Sequence, residues 1–451
     1  MFSPCPIPMN RLHPPSAVLE IADRLEGAGF EAWCVGGAIR DALLGYKHLD
    51  WDLATSATPP QVRELFGARR TIPVGVAFGT VGVLDRNGIM HEVTTFRRDV
   101  RTDGRHAEVE FGVSLEDDLA RRDFTINAIA YSPRLGEVRD PFGGQHDLSS
   151  RVLRAVGDPQ ARMREDRLRA LRAIRFAARF DFEIDRATRQ AIEASAPFLG
   201  RLSPERVKQE MDKTMEQVER PSAAFGLWQA TGAFQTLVPA LHTATSVSLA
   251  VPDYLAKPGL LNRAARRTIR FAGLLASLST RQAAAVLTGL RSSRQEVQMV
   301  AELIDAWHAV GGELGSTLLM SRPPADSAVR SWVAKIGRLQ LGPFMRLAGA
   351  IWAARRDAGQ DAPSEPPVRA LYRRMSASAF RDAIDLGSLA VDGDDLRRIG
   401  IPSGPGLGKI LQALLAAVID DPARNVTDWL LQEARRLQDA LRDDRATGGQ
   451  T

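Results

Sequence analysis

Two aspartates, Asp50 and Asp52, are separated by one residue in a segment whose pattern predicts a short strand, Asp50–Leu53. Residues at i and i+2 of a strand project from the same face, so the two carboxylates would lie side by side. Neighbouring negative charges repel each other unless a cation lies between them, and Mg²⁺ prefers carboxylate oxygens and substrate phosphates. The pair by itself is more typical of a solvated turn, so its meaning depends on the residues around it.

A glycine pair precedes these aspartates. Gly36 and Gly37 follow a predicted strand, Phe30–Val35, and lead into a predicted helix, Ala38–Leu44. A glycine turn at the start of a helix exposes backbone N–H groups to an anion, and Arg40 on the first turn can reach the same phosphate. One strand–turn–helix–strand unit thus contains, in this order, the glycine pair, the arginine and the aspartate pair. That order favours a site for metal and phosphate over a solvated turn.

A third acidic residue, Glu92, lies in the predicted apolar strand Ile89–Thr95. This strand and Thr80–Leu84 flank Asn87-Gly88, a dipeptide typical of a β-hairpin. On an edge strand the Glu92 carboxylate would simply face solvent. On a strand next to the aspartates it would complete an acidic site. The sequence supports these two interpretations equally.

Two adjacent arginines open the next charged segment, Arg121–Asn127. One interpretation is a helix C-terminus, where the arginines offset the helix dipole. The other is a nucleotide site in which an arginine holds the triphosphate while Asp123 and Asn127 lie near the ribose. The segment that follows, Asp140–Leu148, predicts a turn and a helix start with a structural role.

A second arginine-rich segment, Arg164–Phe176, has the apolar period of a helix. Asp166, Arg169 and Arg172 stand at i, i+3 and i+6 and therefore share one side of that helix. Such spacing is typical of solvated ion pairs, but the arginines here outnumber the acids. A carboxylate beside an arginine also suits a base edge, because the carboxylate accepts from an exocyclic amino group while the arginine donates to ring acceptors.

The elements that must position these residues are of two kinds. Strands and helices alternate up to about Asp158, and the pattern beyond it is helical nearly to the end. The polar, glycine-containing segment 97–113 predicts a mobile loop. We therefore predict an α+β chain, with a small mixed-sheet head followed by an elongated all-helical neck, body and tail. The expected parts are an N-terminal arm and first helix at 1–28, the head at 29–157, the neck at 158–220, the body at 221–365 and the tail at 366–451.

The composition limits the class of protein to which the chain can belong. The chain has 451 residues, of which 44% are hydrophobic and 25% charged, as in globular proteins of more than one domain. Cys5 and Cys34 form no CxxC pair, which argues against a zinc site, and Cys34 is expected to be a small buried residue. No apolar run approaches the roughly 20 residues that cross a bilayer. We expect no membrane association and a cytoplasmic location, and the net charge of +5 permits a phosphate-bearing partner.

In this order the motifs resemble those of class II tRNA nucleotidyltransferases and bacterial poly(A) polymerases, which belong to the polymerase-β-like superfamily. The likeness is close over about residues 30–215, where Ser203–Arg206 with Glu210 and Lys213 resembles the last motif of the family's head and neck. The segment Gly400–Gly408 also resembles the helical tails of this family. Each motif alone is weak, but the ordered set is highly specific.

The resemblance implies a role for each candidate residue. Asp50 and Asp52 would be Mg²⁺ ligands and, with Glu92, the catalytic carboxylates. The nucleotide-binding residues would be Gly37, Arg40, Arg122, Asp123, Asp166, Arg169, Arg172 and Arg175. Within that set, Asp166 and Arg169 would read the incoming base, so that the protein acts as the template.

The implied activity is the addition of CCA to the 3′ end of tRNA from CTP and ATP, with two metal ions and release of pyrophosphate. The loop Arg97–Gly112, with Asp103–His106, resembles the flexible loop that the family uses to add the final A. Two enzymatic alternatives are a poly(A) polymerase that uses ATP on RNA 3′ ends and a tRNA enzyme that adds only A. A non-catalytic RNA-binding protein is disfavoured by the intact Asp50, Asp52 and Arg40. The sequence leaves the oligomeric state open between monomer and homodimer.

Overall fold

The computed structural model describes residues 12–47, 50–102, 107–255, 262–320 and 323–447. The chain divides into two compact units, Met1–His242 and Thr243–Thr451. All of the described strands lie in the first unit, and the described part of the second is helical with short connections. The predicted α+β class, a mixed-sheet head followed by helices, is confirmed. The finer division into arm, head, neck, body and tail stays a prediction.

The first unit begins with alternating strands and helices and ends with helices alone. Its strands are β1 (Ala32–Val35), β2 (Asp52–Thr55), β3 (Thr71–Gly75), β4 (Thr80–Leu84), β5 (Met90–Thr95), β6 (Arg97–Thr102), β7 (Ala107–Phe111), β8 (Ala130–Tyr131), β9 (Val138–Arg139), β10 (Val152–Leu153) and β11 (Glu183–Ile184). Its helices are α1 (Ser16–Gly27), α2 (Gly37–Leu43), α3 (Pro59–Phe66), α4 (Leu115–Ala120), α5 (Gly144–Ser149), α6 (Pro159–Glu165), α7 (Leu168–Phe180), α8 (Arg186–Ser195), α9 (Pro204–Gln217), α10 (Pro221–Ala230) and α11 (Ala233–Leu237).

The main sheet of this unit has the strand order β3-β4-β5-β2-β1-β8-β9. It is mixed, because β2 and β5 run parallel while the other neighbouring pairs are antiparallel. The predicted hairpin at Asn87-Gly88 is confirmed as the turn between β4 and β5. Gly88 has φ +77, and the Asp85 carboxylate accepts from the backbone N–H groups of Asn87 and Ile89 at 2.8 Å each.

Helices α1 and α3 cover one face of this sheet. That face contributes Cys34, Leu53 and Val93, which are each 0% exposed and occupy matching positions on β1, β2 and β5. The expectation that Cys34 is a small buried residue is therefore confirmed. Because side chains alternate along a strand, the neighbours of these residues project from the opposite face, where the functional cavity lies.

The prediction of a loop over 97–113 was wrong for residues 97–102 and 107–111, which form strands. Residues on both sides of its tip form an antiparallel ribbon of β6 and β7, and Arg98 pairs with Glu110 across it at 2.7 Å. Cross-strand ion pairs of this kind stabilise a two-stranded ribbon without an apolar face. The sequence therefore showed no alternation of apolar residues there. The tip, Asp103–His106, lies outside the described residues.

The second unit is built on apolar helix contacts. Its helices are α12 (Ser246–Ala250), α13 (Arg263–Leu275), α14 (Thr280–Gly289), α15 (Arg294–Leu319), α16 (Asp326–Ile336), α17 (Leu341–Asp357), α18 (Glu365–Arg381), α19 (Gly393–Arg398), α20 (Pro405–Asp420) and α21 (Thr427–Thr447). At these contacts, Trp332 of α16 and Phe344 and Trp352 of α17 are each at most 1% exposed. The proline-rich segment 358–367 includes the connection between α17 and α18 and the first residues of α18, all inside this unit. Within the described chain, no helix has the length and apolar character of a membrane span.

Helix α5 fixes the short 3-10 turn Thr125–Asn127 in the first unit. The Thr125 hydroxyl donates to Asp147 at 2.7 Å, and the backbone N–H of Gly144 donates to Asp140 at 2.7 Å. A Cβ on Gly144 would stand 2.2 Å from the carbonyl oxygen of Thr125. The structural role predicted for Asp140–Leu148 is thus supported, since this segment holds the turn that presents Asn127.

We expect Gly144→Ala to lower the free energy of unfolding by about 1–3 kcal/mol, because its methyl group meets backbone rather than a movable side chain. The matched control is Gly226→Ala within α10, where a Cβ would meet nothing within 4 Å. That change should be neutral or stabilise by up to about 1 kcal/mol, because alanine favours a helix over glycine. Thermal unfolding of both variants measures the difference, and equal midpoints would show that α5 does not press against the turn.

Candidate active site

A cavity of about 630 Å³ opens on the sheet face opposite α1 and α3. Strands β2, β4 and β5 form its floor, and the N-terminus of α2, the segment Arg121–Asn127, α7 and α9 form its walls. Of the predicted site residues, those that line it are Gly37, Arg40, Asp52, Glu92, Arg122, Asp123, Asp166, Arg169, Arg172 and Arg175. Only Asp50 is not among the lining residues, so the structure brings the separate sequence motifs to one place.

The aspartate pair lies where β2 begins. The predicted strand Asp50–Leu53 is shifted, because β2 starts at Asp52, which pairs with Val35 at the end of β1. Gly36, with φ +76, turns the chain away at that point, so Asp50 has no strand to pair with. Asp50 is exposed, but it still acts electrostatically on Asp52.

Glu92 lies in the interior of the sheet, on β5 between β4 and β2. The pairing of Leu53 with Val93 places Glu92 beside Asp52 on the same face. The interpretation of Glu92 as an edge residue was therefore wrong, although its carboxylate is exposed at the cavity floor. Burial, and then repulsion from Asp50 and Glu92, raise the pKa of Asp52 to about 7.

The acidic end of the cavity has the donor chemistry of a Mg²⁺ site. The raised pKa of Asp52 shows that its charged form lacks sufficient compensation from the protein alone, which a divalent cation would supply. Within the described ranges, no three acidic, histidine or cysteine side chains come together as a complete ligand set. Mg²⁺ typically takes one or two carboxylates and completes its shell with waters and substrate phosphates. Asp52, with Glu92 beside it on the same sheet face, fits that arrangement, and a ligand role for Asp50 stays a prediction.

Arg40 forms part of the opposite, cationic wall. It is 4% exposed and donates to Asp41 at 2.7 Å and to Asn127 at 2.6 Å. Its guanidinium also lies 4.9 Å and 4.8 Å from the ring centroids of Phe176 and Phe180. Arg40 is thus fixed in position as a cation behind the glycine turn. Asp41 was not among the predicted site residues, and Asn127, which was predicted to lie near a ribose, accepts a hydrogen bond from Arg40.

The paired arginines of the second motif share one buried acid. Asp118 is 0% exposed on α4 and lies 2.6 Å from Arg121 and 3.0 Å from Arg122. Burial alone would raise the pKa of Asp118, but the two arginines hold it below its ordinary value. Arg121 directly follows α4, as predicted for a helix C-terminus, and both arginines also line the cavity. The predicted contacts of this motif with a nucleotide stay a prediction.

The carboxylate of Asp123 is hydrogen-bonded to other residues of the protein. Arg172 donates two hydrogen bonds to one of its oxygens, at 2.8 Å and 2.7 Å, and the Asn127 amide donates to the other at 2.8 Å. Burial opposes ionisation, but these contacts outweigh it and lower the pKa of Asp123 to about 2. The geometry supports a role in holding Arg172 at the cavity wall rather than a free carboxylate near the ribose.

The prediction that Asp166 and Arg169 share one helix was wrong. Helix α6 ends at Glu165 and α7 begins at Leu168, and Asp166 between them has an extended backbone with φ −143. Its carboxylate accepts from the backbone N–H of Leu168 at 3.0 Å and from Arg206 at 2.8 Å. Aspartate bonds readily to nearby backbone N–H groups, which favours helix starts over helix interiors.

Arg169 lies on the first turn of α7 and also has protein partners. It donates to Glu165 at 2.7 Å and to the backbone carbonyls of Arg121 and Arg162 at 3.1 Å each. Asp166 and Arg169 therefore line the same cavity, although Asp166 has an extended backbone and Arg169 a helical one. In this state each is paired with a residue of the protein.

Helix α9 supplies cavity residues that the sequence analysis quoted but did not place. Glu210 lies 2.7 Å from the buried Arg175 of α7 and 3.4 Å from Lys213. Arg206, Glu210, Lys213 and Gln217 follow at intervals of four, three and four, a spacing that puts them on one helix face. That periodicity was readable in the sequence, but the partner helix was not.

The Asp52 environment generates a prediction about stability. A carboxyl whose pKa is raised in the folded state stabilises the fold below its unfolded pKa, and this contribution disappears as the pH rises through about 7. Asp52→Asn should therefore raise the free energy of unfolding at pH 8 by about 1–3 kcal/mol, after allowance for solvent screening. At pH 5 the gain should be much smaller. Unfolding in EDTA at both pH values measures this, and an equal effect at both would contradict the buried, repelled state of Asp52.

Comparison with known proteins places this cavity in a family. Residues 32–154 match the model described as "Poly A polymerase head domain", and residues 181–245 match "Probable RNA and SrmB- binding site of polymerase A". The CCA-adding enzymes of Geobacillus thermodenitrificans and Limosilactobacillus reuteri are 34% and 33% identical over 92% of this chain, and the matches cover 96% and 95% of those proteins.

Solved structures agree with this placement. The Bacillus stearothermophilus CCA-adding enzyme in complex with CTP has a TM-score of 0.73 at 31% identity, and the match covers 95% of this chain and 100% of that one. The Thermotoga maritima CCA-adding enzyme complexed with tRNA shares the fold at a TM-score of 0.63 and 21% identity, over 95% and 97% of the two chains. The chain belongs to the class II family of CCA-adding enzymes, which are nucleotidyltransferases related to poly(A) polymerases.

Proposed function

We propose that this protein adds CCA to the 3′ end of tRNA, with CTP and ATP as substrates and Mg²⁺ as the metal. The observation that carries the proposal is the division of one cavity into an acidic floor, formed by Asp52 and Glu92 near Asp50, and an arginine wall. A nucleoside triphosphate is a polyanion that binds a divalent cation, so it matches both parts together. The similar CCA-adding enzyme in complex with CTP supports the choice of substrate.

In the proposed reaction, the RNA 3′-oxygen forms a bond to the α-phosphorus of the nucleotide. The bond from that phosphorus to its bridging oxygen breaks, pyrophosphate leaves with the electron pair, and the hydroxyl proton passes to water at the open cavity mouth. Bound metal ions would lower the pKa of the hydroxyl and offset the charge of the leaving group. Gly37, Arg40 and Arg122 orient the phosphates, and the protein supplies position and charge rather than a nucleophile.

Base selection is assigned to Asp166 and Arg169. CTP and ATP each offer an exocyclic amino group beside a ring acceptor, whereas UTP and GTP present the reverse pattern. A bound base would exchange with the present partners of the pair, Arg206 for Asp166 and Glu165 for Arg169. Arg172 and Arg175 act as further nucleotide contacts, held by Asp123 and Glu210.

The remaining domain assignments belong to the same proposal. The head at 29–157 is catalytic, the neck at 158–220 reads the base, and the tail at 366–451 binds tRNA. The segment Arg97–Gly112 would serve the addition of the final A. A cytoplasmic location follows from a role in tRNA maturation.

A second candidate function is poly(A) polymerase activity, which the match of residues 32–154 to a poly(A) polymerase head favours. The two activities differ in substrate. A poly(A) polymerase would extend an unrelated RNA with ATP alone, whereas a CCA-adding enzyme requires CTP on tRNA that lacks CCA. Single-nucleotide incubations with tRNA lacking CCA, tRNA ending in CC and an unrelated RNA separate these outcomes.

We predict that Asp52→Ala stops addition of every nucleotide, because it removes the cavity carboxylate proposed to hold the metal. Asp166→Ala should instead reduce the preference for C and A by roughly tenfold to a hundredfold, the usual worth of a base-reading contact. The control is Asp181→Ala at the far end of α7, where the side chain is 96% exposed. The measurement is kcat/KM for all four nucleotides on tRNA lacking CCA, with thermal unfolding as a check on folding.

The two variants test separate parts of the assignment. Near-normal addition by Asp52→Ala would remove it from the catalytic centre. An unchanged preference for C and A in Asp166→Ala would show that the cavity reads the base with other residues.

A further inference from the structure

The sheet face that carries the catalytic carboxylates continues beyond the cavity, away from the arginine wall. On β5, Met90 and Glu92 are two residues apart and project from the same face, and Glu92 pairs directly with Gly82 on β4. A Cβ on Gly82 would lie 2.6 Å from the sulfur of Met90 and 3.0 Å from a methyl of Val74 on β3. Glycine at this position therefore lets Met90 and Val74 approach each other across β4.

This approach creates an uncharged surface beside the carboxylates. Val74 is 45% exposed and Met90 is 40% exposed, which is high for large apolar side chains. We call Val74, Gly82 and Met90 the apolar patch. Its apolar side chains offer nothing to a phosphate, but they suit the flat faces of bases and riboses.

An aromatic residue stands on the same side of the site. Phe78 is 43% exposed in the 3-10 turn between β3 and β4. Arg97, which lines the cavity, lies 5.7 Å from the centroid of the Phe78 ring and donates to the Phe78 carbonyl. Next to it, Gly79 has φ +82 and touches the ring of Phe111 so closely that a Cβ would lie 2.6 Å from it. These contacts fix the turn that presents Phe78.

The strand order places this surface opposite the phosphate-binding side. Arg40 follows β1, and Arg122 precedes β8, which is the next strand beyond β1. The apolar patch lies on β3, β4 and β5, so the carboxylates of β2 and β5 stand between it and the arginines. In phosphoryl transfer the attacking and leaving oxygens are roughly in line across the phosphorus. If the arginines hold the leaving pyrophosphate, the attacking hydroxyl arrives from the side of the patch.

We infer that the apolar patch and Phe78 form the subsite for the 3′-terminal nucleotides of the RNA, whose base and ribose faces rest on Val74, Met90 and Phe78. The inference rests on the proposed function and adds to it the residues that receive the acceptor end. Bases of single-stranded RNA stack on exposed aromatic side chains largely without regard to sequence. A surface of this kind accepts each successive end as C, C and A are added.

The test introduces a negative charge where the RNA would lie. Met90→Glu and Val74→Glu should each raise KM for tRNA lacking CCA on the order of tenfold, since a base contact of this type is lost and a phosphate chain is repelled. KM for CTP should stay within about twofold, because the arginine wall is unchanged. Met90→Leu, which keeps an apolar side chain, should retain the KM for tRNA.

The matched control is Leu135→Glu, which places the same charge on a 65% exposed leucine between β8 and β9, at the other edge of the sheet. It should leave both KM values unchanged. Thermal unfolding checks that each exposed substitution leaves the fold intact.

The outcomes separate this inference from the proposed function. Failure of the unsubstituted protein to extend any RNA would reject the function itself. An active protein in which Met90→Glu and Val74→Glu leave KM for tRNA unchanged would overturn the inference. An equal rise in KM for CTP would also overturn it. A change in oligomeric state without a change in KM for tRNA would overturn it too, and would identify the patch as a contact between copies of the chain.

Discussion

The cavity depends on a small set of buried and half-buried acids that hold arginines in place. Asp41 contacts Arg40 at 2.6 Å and Arg179 at 3.2 Å. Asp118 is shared in the same way by Arg121 and Arg122, and Glu210 is shared by Arg175 and Lys213. Because each of these acids serves two cations, the wall is fixed in position but keeps a surplus of positive charge. A buried arginine without an acid would be costly, and one matched acid for each arginine would leave nothing to attract a triphosphate.

Much of the fold could be predicted from local patterns. The hairpin at Asn87-Gly88, the glycine turn before α2 and the change to helices after about Asp158 each have a signal within a few residues. The ribbon of β6 and β7 has no such signal, because its strands pair through the backbone and carry charged residues, such as Arg98 and Glu110, in place of apolar alternation. The start of β2 was also missed. It is set by the residue at which β1 ends, a tertiary constraint that the sequence around Asp50 does not contain.

The candidate site was predictable as a list of residues but not as a set of contacts. Ordered motifs identified Arg40, Arg122 and Arg172, and the acids Asp41 and Asp118 lie close in sequence to the first two. Other partners lie far away in the chain, as Asn127 does for Arg40. Arg172 bonds to Asp123, 49 residues away in the chain, and Arg179 bonds to Asp41, 138 residues away. Spacing along one helix cannot indicate which distant acid an arginine will meet. The helix break at Asp166 is a local feature. The apolar period of the sequence continues across this residue and predicted one helix, although aspartate favours the start of a helix over its interior.

Helix α7 carries arginines of the cavity wall whose acidic partners lie elsewhere, which limits the substitutions that the site can tolerate. Arg169, Arg172, Arg175 and Arg179 follow at intervals of three, three and four, so they form one face, while Leu171 and Ile174 are buried on another. Loss of Arg172 would leave Asp123 as a buried carboxylate without its main partner. Lysine would not replace it well, because two nitrogens of the planar guanidinium bond to one Asp123 oxygen. We therefore expect that a tolerated substitution of an arginine on this helix requires a matching substitution of its acid, whatever nucleotide the cavity selects.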